Sequence, residues 1–561
     1  MQQPIWPAAS MAHRFPMVSR AAALAGMLLA VAVAGCLGPG SAPPPGVGPG
    51  PSLARLVCFE GLSTGAAGNA SRVCNFQATS SPATRQANEL SIAVNPLDPD
   101  NIIATGKDYT PDYAGQCVWD GLYATKDGGK TWTDQNVPGS PWKALNDPSN
   151  APSPPPETSK FYCATDPVVA FGPDGMAYWA VMPYQCDPAS GSRTGREVVP
   201  GSGVGLPPGG LNDWFWTCSS MYVLVSTDGG MTWPVDKMRQ VAFGPRLEHD
   251  KMWLSIAPDG TALLCWDRSP ATDPQANNGV LPVPLPSAQP PPPLPHSAVV
   301  CSLSKDQGDH WSELHDLSTV VALPWVDYGP DNHAFGALID GTDAVVAESD
   351  DGVTWKDPVK VGPYALPPAN AEYGWPGLNG SKFRVLVAPS IAVDRSDGPF
   401  KGSLYVVWMT YNGQDADVVL SFSRDAGATW SSPVKVHDDN ASQQADQFMP
   451  AVSVGPDGTV DVSWHDRRWD PVHHLIDLAY TYSIDGGRTF APNLRVSEQS
   501  SDEQYSHHQN GAIFLGDYRD SDSSAGKAYL VWVDTRNAKA DAFVAIVERP
   551  GANPAAASTV G

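Results

Sequence analysis

The sequence predicts an all-β protein assembled from repeated sheets, and three observations predict it. The chain of 561 residues carries 52 Gly, 56 Pro and 19 Trp, and many turn formers together with many aromatics is an all-β composition. Beyond the N-terminus no long stretch shows the apolar period of about 3.6 residues that marks a helix. One eight-residue pattern, Ser-x-Asp-x-Gly-x-Thr-Trp, recurs six times, and recurrence at that level signals a repeat architecture.

In chain order, residues 1–36 come first and read as an address. Arg14 and Arg20 precede an apolar stretch over 21–34 that is too short to span a membrane comfortably. The stretch ends in Val33, Ala34, Gly35 and Cys36. These residues resemble a lipobox, which implies that Cys36 becomes lipidated and that the protein sits on the outer face of the cell membrane or is secreted. Residues 37–51 are nearly all Gly, Pro, Ala and Ser, cannot build a core, and read as a tether. The tether region extends to residue 80 and includes a possible closing strand around Cys58 to Thr79; repeats fill 81–549; 550–561 reads as a disordered tail.

The formal net charge is −24, which argues against a nucleic-acid partner, since such partners are held by Lys and Arg on phosphates. An acidic surface suits an exported protein and also serves solubility. Besides Cys36 there are eight cysteines, all before residue 302, and an even number in an exported chain suggests disulfides. Cys265 and Cys301 flank a Pro-rich excursion and are expected to pair across neighbouring strands.

The octapeptides centre on Asp127, Asp228, Asp306, Asp350, Asp425 and Asp485. Their chemistry is that of a hairpin turn. Ser and Asp side chains bond nearby backbone N–H groups, Gly accepts a positive φ, and Trp covers the adjoining sheet. The aspartates are therefore expected to be structural. The pattern resembles the Asp-box, or BNR repeat, of sialidases and related propellers, over roughly residues 85–549. The resemblance implies a β-propeller of four-stranded antiparallel blades, each box joining the third and fourth strands. Upstream of the boxes a second unit repeats as strand, turn, strand. Examples are 90–95, 167–171, 253–257, 389–393 and 450–454, each running into an Asp- or Pro-rich turn. Near the C-terminus, 511–515, 528–532 and 541–548 supply strands without a box. Seven blades are expected, with six as the alternative. Pro/Gly-rich insertions at 147–159, 188–212 and 269–296 interrupt the rhythm, and long loops on a rigid scaffold often carry binding.

With this strand order, residues that begin the first strand or end the second converge on one face around the axis. The first-strand starts are polar: Glu89, Asp166, Asp250 with Lys251, Asp446 with Gln447, and 508–510. The second-strand ends carry Arg268, Arg467, Arg468 and Arg536, each shortly after a Trp, and Tyr411 after Trp408. The resemblance implies a site in which an arginine triad holds a substrate carboxylate and a Tyr is the nucleophile, the stated exception to the two-carboxylate rule. On that basis Arg268, Arg468 and Arg536 are candidates for the triad, Tyr411 or Tyr505 for the nucleophile, and Asp250 or Asp466 for the acid/base. The family's Arg-Ile-Pro is absent; Phe383-Arg384-Val385 matches its first part only. No H-E-x-x-H, P-loop or EF-hand pattern occurs, so neither metal nor cofactor is expected. The function expected is an exported, lipid-anchored glycoside hydrolase of sialidase type acting on extracellular glycans. The alternative is a non-catalytic propeller that binds glycans or a surface protein.

Overall fold

In the computed structural model the chain is described at 52–53, 56–60, 62–63, 71–79, 86–109, 118–138, 161, 163–184, 218–245, 247–270, 297–318, 324–370, 375–385, 388–440, 444–509 and 512–550. The leader, the lipobox Cys36, the tether, the C-terminal tail from 551, and nearly all of the three Pro/Gly-rich insertions lie outside the described residues.

Seven antiparallel sheets follow one another as blades. Blades 1 to 6 span 87–136, 163–245, 247–318, 325–363, 390–435 and 447–495. Blade 7 combines the C-terminal strands Ser521–Ser524, Lys527–Asp534 and Asp541–Glu548 with the N-terminal strand Arg72–Gln77. The two ends of the chain therefore close the ring, as the position of the N-terminal segment predicts. Leu56–Glu60 adds a further strand to blade 7, Leu62–Ser63 pairs with the edge of blade 6, and Ser52–Leu53 pairs with that of blade 1. Among the described residues helix is limited to short 3-10 turns.

Each blade is covered on both faces by its neighbours, so its central strands are apolar throughout rather than alternating. The second strands of blades 2, 3, 5, 6 and 7 each carry one Trp, at 179, 266, 408, 464 and 532, no more than 2% exposed. Cys265 and Cys301 are direct cross-strand partners and form the expected disulfide, with Cα atoms 4.1 Å apart. Cys58 and Cys74 form a second across the N-terminal hairpin.

The boxes are turns held by their own side chains. In the first, Asp127 accepts from Thr131 N at 2.9 Å and Thr131 Oγ1 at 2.6 Å, while Thr125 Oγ1 accepts from Gly129 N at 3.1 Å. The same bonds recur at Asp228, Asp306, Asp425 and Asp485. Gly129 and its counterparts Gly230, Gly308, Gly427 and Gly487 sit at φ between 82° and 86°, where other residues are strained.

Two expectations are corrected. In blade 4 the box aspartate is Asp351, not Asp350. Ser349 Oγ donates to Asp351, which accepts from Val353 N at 2.8 Å and Thr354 N at 2.7 Å. This box lacks one residue between Asp and Gly, so the pattern read from Glu348 is one position out of register; Asp350 bonds Lys356 instead. Asp351→Ala should therefore cost about 1–2 kcal/mol, comparable to losing a helix cap, and Asp350→Ala within about 0.5 kcal/mol; urea unfolding of the two variants checks it. In blade 7 the inner strand is Ser521–Ser524, whereas 512–514 pairs with His507–Gln509 as a separate hairpin. Residues 508–510 therefore do not start an inner strand.

Candidate functional site at the axial mouth

The inner strands of blades 1, 2, 3 and 6 share a bulge. Two of their residues oppose one on the second strand: Glu89 and Leu90, Asp166 and Pro167, Lys251 and Met252, Met449 and Pro450. The first of each pair has φ between 48° and 55°, a conformation costing a non-glycine residue roughly 1–2 kcal/mol. Bulges re-aim side chains, and in three adjacent blades the re-aimed side chain is charged.

The result is a buried ionic cluster. Lys251 Nζ lies 2.7 Å from Glu89, 3.0 Å from Asp517, 3.6 Å from Asp166 and 3.9 Å from Asp250. Lys107, at the end of the second strand of blade 1, contacts Glu89 and lies 2.7 Å from Asp166. Arg384 grips Asp517 with Nε at 2.9 Å and a terminal nitrogen at 2.5 Å. Its guanidinium lies 4.7 Å from the centre of the Phe514 ring and 5.4 Å from that of Trp375.

Burial and neighbouring charge push these carboxyls apart. Glu89 is raised to about 7, by burial first and then by Asp166, against the pull of Lys107 and Lys251. For Asp166 burial is overcome by Lys107 and Lys251, which hold it well below the ordinary range. Asp517 is held at about 2, with Arg384 and then Lys251 outweighing burial. Asp120, cross-strand from Lys107 with both oxygens unbonded, is raised by burial and by Asp166. Asp250 is raised by its poorly hydrated surroundings and by Asp166, although Lys251 opposes the shift. The Asp250 side chain itself remains 43% exposed.

A pH prediction follows from Glu89. Between its ordinary 4.5 and about 7, the folded protein keeps a proton that the unfolded chain has released. Stability should therefore fall as pH rises through that window, and Glu89→Gln should reduce the fall, the remainder coming from Glu248 and Asp520, which are also raised to about 7; chemical unfolding at pH 4.5 and 7.5 reads it.

Beside Lys251 and Asp517 the surface carries a shallow, half-open dip lined by Trp253, Trp325 and Tyr518. The two indole rings stack with centroids 3.4 Å apart, and Tyr518 meets Trp253 edge-on.

The nominated residues are distributed as follows. Asp250 stands at the cluster. The three arginines do not form one clamp. Arg468 is held by Asp466 (2.8 Å) and Asp438 (2.7 Å), Arg536 by Asp534 (2.6 Å) and Glu498, and Arg268 lies 3.7 Å from Asp316. The reason is local. In Trp464-x-Asp466-x-Arg468 and Trp532-x-Asp534-x-Arg536 the Asp accepts from the indole N–H and from the backbone N–H and guanidinium of the Arg. Asp466 is thus a fully enclosed structural acceptor. Tyr411 ends the second strand of blade 5, its N–H donating to Ala365 O at 2.9 Å. Tyr505 lies in an exposed 3-10 turn, Glu503–Tyr505. Among the described residues, the partners of the cluster's charged groups do not include either tyrosine.

Of the residues that do meet, Glu89, Asp166 and Lys251 are among the polar strand starts expected to converge. Lys107, Arg384, Asp517 and Tyr518 are additional. Lys107 obeys the same strand-end rule, and Arg384 is the Arg of the partial Phe-Arg-Val match. Asp517 and Tyr518 precede the true inner strand of blade 7, which the sequence pattern misplaces.

No family model and no curated protein matches the chain. Among solved structures, it is similar to the Hadza microbial sialidase Hz136 at 14% identity and a TM-score of 0.38, covering 79% of this chain and 75% of that one. The intramolecular trans-sialidase of Ruminococcus gnavus matches at 13% and 0.41, over 72% and 96%. The α-L-arabinofuranosidase arb93a of Fusarium graminearum matches at 14% and 0.39, over 85% and 97%. None of these is similar enough to assign a residue or an activity here. The six self-bonded box turns on seven blades decide the architecture. The chain folds as a seven-bladed β-propeller with Asp-box turns. In this propeller the box turns and the charged mouth lie at opposite ends of the blade strands, because the second strand ends, and the inner strand begins, away from the box.

Proposed function

We propose that the propeller is a glycoside hydrolase of sialidase type, acting on extracellular glycans at its axial mouth. The observation that carries the reading is Asp250, a partly exposed carboxyl with a raised pKa, beside the ionised Asp166 at the rim of an aromatic dip. Divergent pKa values in neighbouring carboxyls are what acid/base chemistry needs. In this reading the Asp250 proton passes to the glycosidic oxygen as the C–O bond to the sugar breaks. Water adds to the sugar carbon, and its released proton returns to Asp250. Asp166 stays ionised and stabilises the positive charge that develops at that carbon. The quarter-exposed Arg384 offers a site for an acidic sugar.

Hydrolysis of fluorogenic α-sialosides and α-L-arabinofuranosides tests this. Asp250→Asn is expected to lower kcat by roughly 10²- to 10⁴-fold; turnover unchanged in that variant would sink the assignment. One observation favours a second reading: Glu89 and Asp166 are at most 2% exposed behind two lysines. A propeller that binds glycans without cleaving them fits that closure, and saturable binding without turnover would select it. We further propose that Cys36 anchors the protein to the outer face of the membrane; the support is the sequence of the leader. Cys36→Ser should then release the protein from the membrane fraction, and retention would refute the anchor.

A further inference from the structure

Between blades 6 and 7 a second set of polar groups lies outside the mouth cluster. Ser463 and His465 alternate along the end of the second strand of blade 6, Val460–Asp466, and so share one face, with Arg467 just beyond the strand's end. Arg519 enters from the segment before the inner strand of blade 7 and is 2% exposed. It donates from Nε to Met449 O at 2.8 Å and from one terminal nitrogen to Ser463 Oγ at 2.7 Å. Its other terminal nitrogen, both ring nitrogens of His465 and Nε of Arg467 are buried with no hydrogen-bond partner. Phe448 packs 5.3 Å from the His465 ring, and Phe383 lies 5.5 Å from Phe448.

We propose that this interface binds a small inorganic anion of chloride size, held by the free terminal nitrogen of Arg519 and a His465 N–H, with Arg467 Nε beside it. The argument is one of charge. Arg467 is compensated by Glu503 at 2.5 Å and Asp446 at 3.8 Å. Arg519 bonds no carboxylate among the described residues. The adjacent Asp520 has its oxygens occupied by Ser91, the Ile92 N–H and the Ser521 N–H, and burial raises its carboxyl to about 7. A buried guanidinium with no counter-charge is costly, and the cost is evident in Arg519 itself, which burial lowers to about 9 despite Asp520. A water molecule would satisfy the N–H groups but not the charge; an anion does both. Burial and the two arginines also keep His465 neutral, so it offers a single N–H.

The test uses the full chain in chloride and in methanesulfonate at equal ionic strength. Chloride is expected to raise Tm saturably, since at a hundredfold excess over Kd a ligand of the folded state shifts the folding ratio roughly 100-fold. Bromide-soaked crystals should show an anomalous peak in contact with Arg519. Arg519→Met should abolish the chloride response and His465→Phe should weaken it. Equal Tm in the two salts, with water and no halide peak at Arg519, would overturn the proposal. If Arg519→Met does not fold, the halide peak and the salt comparison on the unaltered protein decide the matter alone.

Discussion

Lys251→Met is expected to destabilise the protein by about 3–5 kcal/mol, the usual cost of removing one partner from a buried ion pair. Among the described residues, Lys251 is the one side chain within 4 Å of Glu89, Asp166, Asp250 and Asp517 together. Met preserves its length and most of its packing, so the loss reports charge. Asp517 would retain Arg384, but Glu89 and Asp166 would share Lys107 alone. Urea unfolding at pH 7 measures the effect. Adding Glu89→Gln to the variant should recover part of the loss, because one of the stranded acids is then neutral. A loss below about 1 kcal/mol, the range of surface pairs, would mean that the cluster is solvated and that the electrostatic account of the mouth fails.

Arg468→Ala should have a comparable effect on stability and little on chemistry. The side chain is 5% exposed and ties Asp466 of blade 6 to Asp438, which follows blade 5, and to Asn493. Its removal leaves Asp466 enclosed and short of its cation, again about 3–5 kcal/mol. If the arginine instead clamps substrate, the folded variant would show a large rise in KM with stability preserved. Comparing unfolding with steady-state kinetics on one preparation separates the two roles.

The contrast between Arg468 and Lys251 shows where the sequence was legible. Strand ends that carry charge were recognisable at both, and both were expected at the mouth. The local spacing Trp-x-Asp-x-Arg, however, locks Arg468 to its own blade. Lys251 is freed from its sheet by a bulge and turned toward residues of three other segments. The bulge leaves no clear local mark: its first residue is Glu, Asp, Lys or Met in the four blades, with no glycine to betray a positive φ. Likewise the blade 4 box deceived because Asp350 and Asp351 are adjacent, and only the turn geometry shows which one accepts the Val353 and Thr354 N–H groups.

By itself, the sequence determined the repeat and five of its six box turns, favoured seven blades over six, and pointed to the Cys265–Cys301 bridge and to a closing strand from the N-terminus. The box turns and the bridge rest on contacts within a turn or between neighbouring strands, where spacing along the chain dictates spacing in space; the closing strand instead pairs across the seam of the ring with Asp541–Glu548. Only the tertiary structure decided which charges neutralise one another. Glu89 and Lys251 come from blades 1 and 3 and Asp517 from the segment before blade 7, and they meet solely because the ring closes, with bulged inner strands turning Glu89 and Lys251 out of their sheets. Ion pairing is set by distance and burial rather than by order along the chain.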